Sequence, residues 1–228
     1  MSNKAKPTII ILAGGKGTRL REVDSSRPKP MVLVKGKPYL YWQLAHYLKM
    51  GFRHFILSTG YLGEQIEEYD WKRDFPEATF EFYREATPLG TGGAVKAVFD
   101  HFVNLDRAWV VNGDTLIESA LPELTTHEKI ITVCAIKAEA VFDAKPNFKT
   151  DEHFVIGLGD KDANLLDTGA AFLSRATIDA CKLPSPFSFH DFLKPFVIKN
   201  QVCYALLEGT LFDIGTPERL KRFEKHLS

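Results

Sequence analysis

Three short runs of residues carry the chemistry open to this chain. The first is Leu12-Ala13-Gly14-Gly15-Lys16-Gly17-Thr18-Arg19-Leu20, which follows an apolar run directly. Glycines at the carboxyl end of a strand permit positive φ and let a ligand approach the backbone closely. Their N–H groups can form a concave anion site, to which Lys16 and Arg19 add charge. The two commoner phosphate motifs do not fit. A P-loop needs Ser or Thr directly after Gly-Lys, but Gly17 separates Lys16 from Thr18, and the dinucleotide fingerprint needs glycine where Leu20 stands. The second run is Arg27-Pro28-Lys29-Pro30. Prolines around Lys29 restrict the backbone and bias it toward an extended conformation, which aims one ammonium at one point. A fixed positive charge there suits phosphate charge that develops or moves in a reaction. Alone, R-P-K-P would read as an exposed basic turn; it gains meaning from the glycine run upstream. The third run, Glu85-Ala86-Thr87-Pro88-Leu89-Gly90-Thr91-Gly92-Gly93-Ala94, is a second glycine loop between strand and helix. Two such loops in one parallel sheet point to a nucleotide at the sheet's carboxyl edge.

Two aspartates add a metal-ligating option. Asp114 follows Trp109-Val110-Val111 through Asn112-Gly113, and Asp213 interrupts Leu211-Phe212-Asp213-Ile214-Gly215. A carboxylate among apolar neighbours is costly unless paired or coordinated. Mg²⁺ takes one or two carboxylates and fills its remaining positions with water and phosphate oxygens, so two aspartates suffice. Taken singly, each also reads as a turn or cap residue.

The elements that must position these residues alternate in type. Thr8–Ala13 is an apolar, isoleucine-rich run, as expected of a strand covered on both faces. Pro38 opens a helical pattern that ends before Gly51. Strands are expected at Phe55–Leu57, Phe80–Tyr83 and Trp109–Val111, with helices at Leu62–Tyr69 and Ala94–Phe102. This alternation implies a parallel sheet with right-handed crossovers. The second half is less regular. Ile130–Ile136, Phe154–Leu158, Leu165–Leu173, Val202–Leu207 and Leu211–Ile214 read as strands, and Lys145–Glu152 as a polar connection. Ala176–Lys182, Phe189–Ile198 and Pro217–His226 read as helices. With no linker or repeat, one domain with a mixed sheet is the economical reading.

Composition sets the outer limits. With 228 residues, 45% hydrophobic and 25% charged, the chain can bury a core without a disulfide or metal staple. Lys+Arg and Asp+Glu both total 29, so the basic surplus expected of a nucleic-acid binder is missing. Cys134, Cys181 and Cys203 show no C-x-x-C spacing and read as small buried hydrophobes. The apolar run near the N-terminus is too short for a signal peptide or a bilayer span. A soluble, cytoplasmic protein with no membrane anchor is expected. Tyr41, Trp42, Trp71 and Phe75 are open to two readings, as core or as a homodimer contact.

Taken together these residues resemble the sugar-phosphate nucleotidyltransferases, in the family's order and along almost the whole chain. Leu12–Leu20 corresponds to the opening signature, Lys29 to the proline-flanked catalytic lysine, and Leu89–Ala94 to the nucleotide loop. Asp114 and Asp213, the latter within Phe212-Asp213-Ile214-Gly215-Thr216-Pro217, correspond to the metal aspartates. The resemblance implies an α/β fold of the glycosyltransferase-A-like kind, a Rossmann-like α/β/α sandwich with a mixed, mainly parallel central sheet. It implies a nucleotide-binding half over about 1–115 and a sugar-phosphate-binding half over about 116–228. Lys29 and Arg19 would be catalytic. Leu12, Ala13, Gly14, Gly15, Gly17, Thr18, Glu85, Pro88, Gly90, Thr91, Asn112 and Gly113 would bind nucleotide. Lys161, Asp167, Thr168 and Gly169 would bind the sugar phosphate, and Asp114 with Asp213 would hold Mg²⁺.

Three departures from the family pattern stand out. Asp160-Lys161-Asp162 replaces the usual Glu-Lys-Pro, Asp167-Thr168-Gly169 replaces Asn-x-Gly, and His190 stands where glutamate is common. An aspartate in place of an amide offers acceptors only, while His190 reads as a structural histidine.

The implied partners are a nucleoside triphosphate and a sugar 1-phosphate, joined with release of pyrophosphate. The nucleophile is a phosphate monoester with a second pKa of about 6, so it needs no general base. Positioning and charge neutralisation are then the whole task. The loop from Glu85 to Gly93 is similar to the guanylyl-transferring branch, and a carboxylate such as Glu85 can accept both N–H donors of guanine, though Glu85 equally reads as a solvated strand end. Within that branch it resembles enzymes acting on D-glycero-α-D-manno-heptose 1-phosphate, with mannose 1-phosphate next. The alternatives are a uridylyl- or thymidylyltransferase for a hexose or amino-sugar phosphate, or a silent nucleotide-sugar-binding subunit. Silent members usually lose the lysine or the aspartates, and this chain keeps all three.

Overall fold

The computed structural model describes residues 6–17, 24–122, 124, 130–159 and 162–227. The strands are β1 (Thr8–Leu12), β2 (Leu33–Val34), β3 (Lys37–Pro38), β4 (His54–Thr59), β5 (Thr79–Arg84), β6 (Arg107–Asn112), β7 (Thr115–Ile117), β8 (Ile131–Ile136), β9 (Phe148–Thr150), β10 (Val155–Leu158), β11 (Leu166–Ser174), β12 (Val202–Leu206) and β13 (Leu211–Asp213). The helices are α1 (Tyr39–Lys49), α2 (Glu64–Glu67), α3 (Trp71–Asp74), α4 (Gly90–His101), α5 (Arg175–Asp179), α6 (Phe189–Val197) and α7 (Pro217–His226). Seven strands form one sheet in the order β12-β8-β11-β6-β1-β4-β5. The pairs β1–β4, β4–β5 and β8–β12 are parallel and β11–β8 is antiparallel. A mixed, mainly parallel sheet is thus what the alternation predicted.

The chain gathers into two compact units, one from Met1–Pro88, Val111–Leu116 and Phe212–Ser228, the other from Leu89–Val110 and Ile117–Leu211. In the first, Ile9, Ile10 and Ile11 of β1 are fully buried, as a doubly covered strand requires. Each such side chain contributes roughly 1.5–3 kcal/mol on leaving water. Helix α1 buries Tyr39, Leu40, Gln43, Leu44, Tyr47 and Leu48, one face at helical spacing. It stops at Met50, before Gly51 takes φ +90°. A cluster of Val32, Val34, Tyr39, Leu116, Ile214, Leu220 and Phe223 seats β7 and α7.

The second unit contains β8, all six residues buried, paired with β11. Their register shifts between Asp167 and Ala171, so residues 168–170 stand opposite Cys134 alone. This is a bulge, which bends a strand and frees its backbone from the ladder.

Several elements differ from expectation. The helix expected over Leu62–Tyr69 is the single turn α2, because Leu62 adopts φ +51° and cannot be helical. Strand β9 lies within the stretch expected to be a polar connection. Gly90–Gly93 belong to α4 and form its first turn, not a loop before it. Gly90 enters with φ +72°, and a Cβ on Gly92 would lie 2.6 Å from the Ser188 carbonyl oxygen. The glycines are therefore a packing requirement between α4 and the Phe187–Ser188 segment. Among the described residues, no helix is long and apolar enough to cross a membrane.

Candidate active site

In the first unit the glycine run leaves the end of β1. Leu12 accepts from Gly113 N–H at 2.9 Å, and Ala13 N–H donates to Ser58 at 2.7 Å. The Gly14 carbonyl accepts from Tyr61 N–H at 3.2 Å. A Cβ on Gly14 would run into the Glu85 carboxylate, so Glu85 lies directly over this turn. The Glu85 backbone is fixed by donation to Thr59 at 2.9 Å. Gly17 has φ +55°, and a Cβ there would meet the Lys29 Cβ at 2.9 Å. Gly15 has open space around it, so no steric demand for glycine exists there. Thr18, Arg19 and Leu20 lie outside the described residues.

Lys29 opens a 3-10 turn, Lys29–Met31, closed by Met31 N–H donating to Pro28 at 2.8 Å. Its Nζ donates to Asp114 Oδ2 at 2.5 Å, with 11% of the lysine side chain exposed and 37% of the aspartate's. The rigid stem and the acid after β6, 85 residues apart, therefore meet. Asp114 Oδ1 also accepts from Thr115 Oγ1 at 3.0 Å. Asp213, the last residue of β13, accepts from Gly215 N–H at 2.8 Å and from Arg219 Nη1 at 2.6 Å. β13 pairs with β7, and Ile214 N–H donates to the Asp114 carbonyl at 3.1 Å, which brings the two acidic positions alongside each other. The fully buried Tyr39 senses both. Burial pushes its phenol well up, and the Asp114 and Asp213 charges push it further. Its hydroxyl donates to Phe212 at 3.1 Å.

The donor set suits a hard cation. Two part-exposed carboxylates would supply oxygen ligands, and among the described residues no group of three or more His, Cys, Asp or Glu gathers to form a closed cage. Such a set fits an ion that completes its shell with water and phosphate oxygens.

The second unit holds Gly90, Thr91 and the sugar-phosphate candidates among the described residues. Asp167 donates its N–H to Asn147 Oδ1 at 2.7 Å, and its Oδ1 accepts from Gly169 N–H at 2.8 Å. Its Oδ2 lies 3.4 Å from His190 Nε2. His190 thus has Asp167 as its neighbour, and its side chain is over a third exposed. The hydrogen bond and charge of Asp167 raise its pKa against the opposing effect of burial. Gly169 takes φ +73° in the bulge. Thr168 is buried and donates to the Cys134 carbonyl at 2.9 Å, so its side chain is committed to the core. Lys161 lies outside the described residues. In α4, Gly92 and Gly93 donate their N–H groups to Phe187 at 3.1 and 3.2 Å, and Thr91 Oγ1 accepts from Phe189 N–H at 2.8 Å. The Gly92 and Gly93 amides are therefore committed to the protein, which narrows the expected nucleotide loop to Pro88, Gly90 and Thr91, all exposed.

Sequence reasoning missed Gln43, Tyr39 and Arg219. The first two sit in an apolar helical pattern and Arg219 in a charged helix, where no local spacing singles them out.

This combination of sheet, glycine turn, caged lysine and two acids belongs to a known class. The Nucleotidyl transferase family profile matches residues 8–146, and the chain belongs to that family. It is 33% identical over 218 residues to D-glycero-alpha-D-manno-heptose 1-phosphate guanylyltransferase of Campylobacter jejuni, covering 94% of this chain and 97% of that one. A protein of the same name from Aneurinibacillus thermoaerophilus is 32% identical over 227 residues, 96% and 97% of the two chains. Among solved structures, HddC from Yersinia pseudotuberculosis complexed with GMP-PN superposes with a TM-score of 0.77 at 27% identity, covering 98% of this chain and 100% of that one.

Proposed function

We propose that the protein transfers a guanylyl group from GTP to D-glycero-α-D-manno-heptose 1-phosphate. A phosphate oxygen of the sugar attacks the α-phosphorus, the bond to the β-phosphate oxygen breaks, and pyrophosphate leaves. The observation that carries this reading is the meeting of Lys29 with Asp114 at 2.5 Å beside the glycine turn. The near full-length likeness to two heptose 1-phosphate guanylyltransferases supports the choice of base and sugar.

The attacking monoester is mostly a dianion near pH 7, so no residue has to remove a proton. The problem is the approach of one anion to another, and the roles follow from it. Lys29 neutralises charge on the transferred phosphoryl group. The Gly14–Gly17 backbone, with Arg19, holds the departing pyrophosphate. Leu12, Ala13, Pro88, Gly90, Thr91, Asn112 and Gly113 line the nucleotide; Lys161, Asp167 and Gly169 take the sugar phosphate, with Thr168 contributing backbone. Asp114 and Asp213 would hold Mg²⁺, which when bound supplies charge neutralisation at the phosphate oxygens. The reaction belongs to a cytoplasmic pathway of activated-sugar synthesis.

Pyrophosphate release measured with GTP, ATP, UTP and CTP against heptose, mannose and glucose 1-phosphates tests the assignment. GTP with the heptose phosphate is expected to give the highest kcat/KM; preference for UTP would replace the guanylyl reading. Glu85 is expected to set that preference. Its carboxylate accepts two donors, whereas Glu85→Gln offers one acceptor and one donor facing the base. Losing a charge-assisted hydrogen bond of about 1.5–3 kcal/mol weakens GTP by about 10–100-fold. Unchanged KM for GTP in that variant would take Glu85 away from the base.

A further inference from the structure

Gln43 is wholly buried on α1, yet its side chain does not pack as an apolar residue would. Its Nε2 donates to the Asn112 carbonyl at 2.7 Å and to the Thr115 carbonyl at 2.6 Å. These carbonyls stand at the two ends of the turn that presents Asp114. The orientation of the amide is fixed by chemistry, since two carbonyl oxygens demand the NH₂ end. Among the described residues its own Oε1 has no hydrogen-bond partner. A buried amide that orphans its oxygen is a poor choice for stability alone.

Other hydrogen bonds also hold the turn. Gly113 N–H donates to Leu12 at 2.9 Å, Ile214 N–H donates to the Asp114 carbonyl at 3.1 Å, and Thr115 Oγ1 donates to Asp114 Oδ1 at 3.0 Å. Among the described residues, Gln43 supplies the one hold that spans both ends of the turn from a single side-chain atom.

Building on the proposed transferase reading, we infer that Gln43 is a positioning residue. By clamping the Asn112 and Thr115 carbonyls it fixes where Asp114 meets Lys29, and hence where the acid stands toward a divalent cation and the transferred phosphoryl group. Among the described residues its hydrogen bonds go to the turn and not to Lys29. Catalytic groups tolerate little displacement, an ångström costing about 10²-fold in rate.

The test uses two variants of matching length, Gln43→Met, which donates nothing, and Gln43→Glu, which cannot supply two hydrogens. Leu44→Ala, an equally buried change on the same helix, serves as the destabilised control. Both Gln43 variants are expected to lose about 10–100-fold in kcat with little change in KM for GTP. Backbone amides at Gly113, Asp114 and Thr115 are expected to exchange with solvent faster, and Mn²⁺ binding, followed by its spin resonance, to weaken by a similar factor. Leu44→Ala should lower Tm while keeping wild-type kcat, Mn²⁺ affinity and exchange at these amides. Should Gln43→Met fail to fold, Gln43→Glu carries the comparison. Wild-type turnover, exchange and Mn²⁺ affinity in a folded Gln43 variant overturn the inference. So does an equal effect in Leu44→Ala. If the unaltered protein turns over no triphosphate with any sugar phosphate, the transferase reading fails instead, and the exchange data still decide whether Gln43 holds the turn.

Discussion

Lys29→Ala is expected to lower turnover by about 10²–10³-fold, the usual cost of removing one preorganised charge from a phosphoryl or acyl transfer site. The structure explains why no neighbour can substitute. The ammonium is nearly buried, its stem starts at a proline-flanked turn, and its first methylene sits against Gly17. Nucleotide affinity is expected to change little, because the glycine turn and Glu85 remain. Stability should also change little. Asp114 is more than a third exposed, so water replaces the lost cation. Lys29→Arg should recover little activity, since a planar guanidinium cannot occupy the place of a compact point charge beside Gly17. Steady-state pyrophosphate release gives kcat and calorimetry gives GTP affinity. Near-normal kcat in Lys29→Ala would remove the residue from the chemistry.

Asp114→Asn is expected to abolish Mg²⁺-dependent turnover, with a loss of about 10³-fold or more, since metal charge at a phosphoryl centre is worth several kcal/mol. The substitution keeps the shape of the side chain and removes its charge, so the turn that Gln43 and Gly113 hold is preserved. A titration separates the two variants. Raising Mg²⁺ should recover part of the activity of Asp114→Asn, where Asp213 remains, and none of that of Lys29→Ala. A fully active Asp114→Asn protein would place the metal elsewhere.

The parts of this site that were legible in the sequence share one property: residue type alone restricted what they could do. Glycines beside cations, a lysine between prolines and aspartates inside apolar runs are each expensive without a purpose. What was not legible depends on partners distant in the chain. Gln43 looks like a spacer in an amphipathic helix until its amide is placed against Asn112 and Thr115, 69 and 72 residues away. Arg219 looks like surface charge until it meets Asp213. In the run from Glu85 to Ala94 glycine answers two needs alike, and Gly90–Gly93 stand in a helix where a loop was expected. Gly14 serves close approach by a neighbouring carboxylate, whereas Gly92 serves helix packing. The bulge in β11 did carry a signal, Gly169 inside a strand, but its two-residue offset depends on β8.

The pairing of each candidate metal acid with its own base, Asp114 with Lys29 and Asp213 with Arg219, bears on encounter as well as on chemistry. Two bare carboxylates at the mouth of a nucleotide site would repel a polyanion across a Debye length of about 8 Å. In the proposed reaction, local electroneutrality at these pairs would remove that barrier, so the acids would not turn the triphosphate away.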